Sequence, residues 1–79
     1  MTVQEIATRV EQAFSNVFGP QIPFHPELSR TDEDRWTSLK HVEFVIALEA
    51  EFEVQFDGAD ATDMTSIPAV VECVHSRLA

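Results

Sequence analysis

Ser38 is the residue of this chain best placed to do chemistry. It follows Thr37, a residue type that caps helices, and opens a stretch without Gly or Pro, so it belongs in the first turn of a helix. Unpaired amides and the positive end of the helix dipole favour a phosphate there, and a serine so placed suits a phosphodiester. The plain alternative is a serine that only helps to start the helix. His41 lies three residues further on, which raises a Ser-His nucleophile and base. A pair carried on one helix lacks an oxyanion hole, a fixed pocket and a positioned third member, and so short a chain builds these with difficulty. His41 is better explained as packed and hydrogen-bonded at the loop boundary.

The other reactive residue types are weaker candidates. His25 and His75 are far apart and show no metal-ligand spacing. Asp57, Asp60 and Asp63 bring a calcium loop to mind, but the alternating Asp order and the closing Glu are missing. Cys73 is the only cysteine, so it forms no internal disulfide and no zinc site. It falls beside an apolar helical series and reads as a small packing residue. A reducing, cytoplasmic setting is the simplest expectation for one lone thiol. Neither a signal peptide nor a membrane span is expected, because the longest apolar run is only Phe44 to Leu48.

The elements that must hold Ser38 follow from periodicity. Thr2-Val3-Gln4-Glu5 has the form of a capping box, and Val3, Ile6, Val10, Phe14 and Val17 continue at helical spacing until Gly19-Pro20. From Gly19 to Thr37 periodicity is lost and three prolines appear; Phe24, Leu28 and Trp36 are expected to pin this long loop. A second helix is predicted over Ser38 to Phe52, a short helical turn over Ala59 to Asp63, and a last helix capped by Ser66. In that last helix Ile67, Val70, Val71, Val74 and Leu78 share one face. The 79 residues therefore predict a single all-α domain, a small bundle of three main helices with a long ordered loop between the first two. A net charge of −9 repels nucleic acid and anionic lipid and selects basic partners.

The second helix carries two apolar stripes. With Ser38 at 0° and about 100° per residue, Phe44, Val45, Leu48 and Phe52 form an aromatic stripe assigned to the core. Leu39, Val42 and Ile46 cluster at roughly 40 to 100°, beginning beside Ser38. Glu49 and Glu53 extend that second stripe and Glu43 flanks it. It reads equally well as a docking strip rimmed by carboxylates or as a second buried face. Between Glu43 and Asp63 stand seven carboxylates and no Lys or Arg, a pattern that usually means a solvated face.

Trp36-Thr37-Ser38-Leu39, then Val42-Glu43, then Leu48-Glu49-Ala50-Glu51-Phe52, resembles the acyl carrier protein family, whose members read Asp-Ser-Leu, a Val-Glu step and Leu-Glu-x-x-Phe. The likeness continues through Val54, Phe56, Met64, Ile67, Val71 and Val74 with the family's spacing. The resemblance implies a discrete, non-enzymatic carrier of fatty acid or polyketide biosynthesis, acting as a monomer. Ser38 would bear 4′-phosphopantetheine derived from coenzyme A and hold an acyl or aminoacyl group as a thioester. It also implies a phosphopantetheinyl transferase as partner, and acyl-loading and acyl-transfer enzymes whose basic patches meet Leu39, Val42, Glu43, Ile46 and Glu49. Thr37 stands where the family has Asp; it keeps the cap but lacks the charge that a transferase arginine is thought to read. Lys40, Gly58 and Thr62 are further departures. An unmodified acidic adaptor that binds a partner through the same surface is the alternative from a different class.

Overall fold

The computed structural model describes residues 1–78. Four α-helices, α1 (Val3–Phe18), α2 (Ser38–Phe52), α3 (Gly58–Asp63) and α4 (Ile67–Leu78), are joined by loops, with one 3-10 turn at Arg30–Asp32. Among the described residues there is no strand, only an isolated antiparallel bridge between Ser29 and Ser66. The fold is thus a small all-α bundle. No helix among these residues is long and apolar enough to cross a membrane.

Each helix begins where its capping residues dictate. The Thr2 hydroxyl accepts the Glu5 amide at 3.1 Å while the Glu5 carboxylate accepts the Thr2 amide at 2.9 Å, the reciprocal pair that satisfies two otherwise unpaired donors. Asp57 and Asp60 repeat this arrangement at the start of α3. Ser66 accepts the Ala69 amide at 3.2 Å at the start of α4. At the end of α1, a Cβ on Gly19 would lie 2.7 Å from the Ser15 carbonyl oxygen, so the close return of the chain requires glycine. Helix α2 ends at Glu53, which adopts a left-handed conformation (φ 54°) normally left to glycine or asparagine. Glu53 is therefore outside the helix and does not extend its second stripe.

Helix α1 packs against both α2 and α4, and α3 rests on α4. Phe14 is the centre of the core. Its ring stacks on Phe18 at 4.5 Å and meets Phe24, Trp36 and Phe44 edge-on at 5.6 to 5.8 Å. Such aromatic pairs add about 0.5 to 1.5 kcal/mol each beyond area burial. They explain why the loop after α1 is ordered, because Phe24 and Trp36 belong to it. Two backbone bonds, Arg30 N to Thr65 O at 2.8 Å and Ile67 N to Leu28 O at 2.9 Å, then tie the loop to the start of α4. The core departs from the periodic series at four residues, one of them Leu78, which is exposed at the end of α4. Val3 is exposed at the very start of α1, whereas Phe18 and Ile22, outside the periodic series, are buried.

Candidate functional site

Ser38 is the first residue of α2 and is exposed. Thr37 is the N-cap: its hydroxyl accepts the Lys40 amide at 3.2 Å and its carbonyl accepts the His41 amide at 2.8 Å. The threonine therefore fulfils the capping role without adding a charge next to the serine. Arg30, the first residue of the 3-10 turn, reaches across from the loop, and its Nη2 donates to Ser38 Oγ at 3.1 Å. That contact has no periodic signature, since it joins a structureless stretch to a helix start. The sequence offered no signal for it, since Arg30 is one of two arginines in the loop and nothing in its spacing sets it apart from Arg35.

Behind Ser38 a chain of polar contacts fixes the loop. Arg30 Nε donates to the Trp36 carbonyl at 3.2 Å. Trp36 Nε1 donates to His41 Nδ1 at 3.0 Å, and His41 Nε2 lies 2.7 Å from the Ala61 carbonyl oxygen. With Nδ1 accepting, the imidazole proton sits on Nε2 and is donated to Ala61. His41 is buried, and both its nitrogens are occupied away from Ser38, so it is no general base for that hydroxyl. Its position at the loop boundary matches the packed, hydrogen-bonded reading of the sequence.

The two stripes of α2 separate. Phe44, Leu48 and Phe52 are buried and Val45 is half-buried against them. Leu39, Val42 and Ile46 are 71%, 55% and 59% exposed, an apolar ridge that starts next to Ser38 and runs down one side of the helix. Exposed apolar residues scattered singly are ordinary, whereas these three are aligned on one side of the helix. Beside the ridge lies an open cleft of about 250 Å³, walled by Val42, Val45, Ile46, Phe56 and Ala61.

The carboxylates expected to rim the ridge have separate duties. Glu43 is exposed and pairs with Lys40 at 3.4 Å. Glu49 is half-buried, and its Oε2 accepts the Phe56 amide at 2.9 Å, so it braces the segment after α2 as well as bordering the cleft. The seven carboxylates from Glu43 to Asp63 do not form one free anionic face either. Arg9 reaches Glu51 at 3.8 Å, and Arg77 contacts both Asp57 and Asp60. The sequence window hid these cations because they come from α1 and α4.

Titration follows the same contacts. The Asp57 amide, then the Arg77 guanidinium, holds the Asp60 carboxyl below its ordinary range. Burial, aided by the nearby Asp60 charge, pushes the Cys73 thiol up, which suits a packing residue and disfavours a reactive thiolate. No group of three or more His, Cys, Asp or Glu side chains among the described residues could hold a metal ion. Asp57 and Asp60 are used in capping α3 and in pairing with Arg77. No protein-family model matches the chain, and no solved structure matches it.

Proposed function

We propose that this chain is a discrete carrier of the acyl carrier protein type, with 4′-phosphopantetheine attached at Ser38. The observation that carries the reading is the coincidence on one helix of an exposed serine hydroxyl at the N-terminus and an exposed apolar ridge beginning at the next residue. The site suits the group: Ser38 Oγ is open to solvent, stands at the positive end of α2, and has a guanidinium donor at 3.1 Å. In the attachment step a transferase would bring coenzyme A to Ser38. The Oγ–phosphorus bond forms, the pyrophosphate bond breaks, 3′,5′-ADP leaves, and the hydroxyl proton passes to a base of the transferase. The arm supplies a thiol on a flexible tether, where an acyl or aminoacyl group is held as a thioester.

The chain's own residues supply position and address. Thr37 starts the helix and orients Ser38 outward. Leu39, Val42 and Ile46 give a partner enzyme an apolar ledge, and Glu43 and Glu49 border it with negative charge for a basic patch. The overall charge of −9 favours encounter with such patches and disfavours nucleic acid. Fatty acid or polyketide biosynthesis in the cytoplasm is the setting in which such a carrier would work, with the chain acting as a monomer.

Incubation with coenzyme A and a promiscuous phosphopantetheinyl transferase, followed by intact-mass measurement, tests the reading. One phosphopantetheine should add to the parent and none to Ser38→Ala. An unchanged parent mass refutes the assignment and favours the unmodified adaptor, which would use the same ridge without the arm.

A further inference from the structure

Four of the five Lys and Arg side chains, Arg9, Arg35, Lys40 and Arg77, are paired with carboxylates. Arg30 is the exception among the described residues. Asp32, Glu33 and Asp34 follow it within four positions, yet its guanidinium turns away from them to a carbonyl and a hydroxyl. In a chain of fourteen acidic residues, an unneutralised cation aimed at one serine is a specific placement. It is also a braced one. The Arg30 amide is bonded to Thr65 O at 2.8 Å, Nε is bonded to Trp36 O at 3.2 Å, and Trp36 itself is locked in the aromatic core. Only the Nη2 end faces Ser38 Oγ.

Resting on the carrier reading above, we propose that Arg30 clamps the phosphodiester formed at Ser38, fixing the root of the arm against the loop. The hydroxyl it now contacts is neutral and exposed, a weak use for a charged and pre-positioned donor. A phosphodiester on Oγ places singly charged, non-bridging oxygens beside the same nitrogen and turns this contact into a charge-assisted one. The added negative charge would otherwise arrive on a surface already at −9. Lys40 cannot take this part, because its ammonium is engaged by Glu43 at 3.4 Å and the Val17 carbonyl at 3.3 Å. The clamp makes the loop, and not only α2, sense whether Ser38 bears the arm.

The test compares unmodified and phosphopantetheine-bearing forms of the parent, Arg30→Lys and Arg30→Gln by thermal unfolding at low and high salt. Comparing the two forms within each variant cancels any stability that the substitution itself removes. The parent should melt roughly 4 to 8 °C higher when modified at low salt, and about 0.5 M salt should erode that gain. Arg30→Lys should keep part of the gain and Arg30→Gln should lose most of it. Without any variant, the Arg30 Nε–H resonance of the isotope-labelled parent should shift on modification. A modified parent with no gain and an unmoved resonance overturns the clamp, as does an equal gain in Arg30→Gln. Absence of the mass increase overturns the carrier reading together with the clamp; a mass increase without the Arg30-dependent effects overturns the clamp alone.

Discussion

His41 gives the sharpest test of what holds the site, because polar and apolar arguments predict opposite outcomes there. The side chain is 7% exposed, and Trp36, which donates to it, is 2% exposed. On area alone His41→Phe should be harmless or stabilising, since it places more apolar surface in a dry position, for about 1 kcal/mol of gain. The hydrogen bonds say otherwise. Phenylalanine leaves the Trp36 Nε1–H with no acceptor, a loss of about 1 to 3 kcal/mol, and the half-buried Ala61 carbonyl loses its donor as well. The net expectation is a loss of about 1 to 3 kcal/mol. His41→Gln offers a carbonyl oxygen to Trp36 and an amide hydrogen to Ala61, and should fall between the parent and His41→Phe. Urea unfolding followed by Trp36 fluorescence reads the effect directly, because this is the only tryptophan. With a slope near 1 kcal/mol per M for so small a domain, the midpoint should drop by about 1 to 3 M in His41→Phe. A His41→Phe variant as stable as the parent, or more stable than His41→Gln, would show that the Trp36–His41–Ala61 chain is incidental and that shape alone holds the loop.

Two further predictions concern the ridge and the acid limb. Ile46→Ala should cost under about 1 kcal/mol and Leu48→Ala about 2 to 5 in urea melts, because Ile46 is mostly exposed and Leu48 fully buried; equal losses would place both stripes in the core. For Asp60 the folded carboxyl titrates below its unfolded counterpart, so its contribution is present above the unfolded pKa and is lost as pH falls through the folded one. The melting-temperature gap between the parent and Asp60→Asn should therefore be open near neutral pH and close as the pH falls below the ordinary carboxylate range, while a gap constant with pH would show that the charge on Asp60 is irrelevant.

The capping boxes and 3-and-4 spacing made the helices legible, because those signals are local. Thr2 and Glu5, Thr37, and Ser66 cap their helices as their residue types imply, and α2 spans the expected Ser38–Phe52. Periodicity could show that α2 has two apolar stripes but could not say which faces water. That depends on how many neighbours the helix has in space. Long-range contacts were equally invisible. Arg30 meets Ser38 only because a loop rich in proline is fastened to α4 through Leu28 and Arg30, and Glu49 meets the Phe56 amide only because the chain turns at Glu53. The acidic run from Glu43 to Asp63 looked uncompensated for the same reason, its cations lying at Arg9 and Arg77.

The exposed ridge follows from the way the bundle is assembled. Helix α1 is the shared partner of α2 and α4, so α2 satisfies its burial with the single stripe that contains Phe44, Leu48 and Phe52. The Leu39, Val42 and Ile46 face is left over, and its apolar residues contribute nothing to the core that would explain them. Polar residues on that face would keep a small domain more soluble without weakening its interior. Ser38 shares this helix, held at its start by Thr37 and touched by an arginine that is anchored to the far side of the loop. A change of charge at Ser38 would therefore reach Arg30 and, through the Trp36 carbonyl, the loop that Trp36 anchors in the aromatic core. On the proposed carrier reading, surface and serine are parts of one device, in which the ridge would select the enzyme and the serine would present the load.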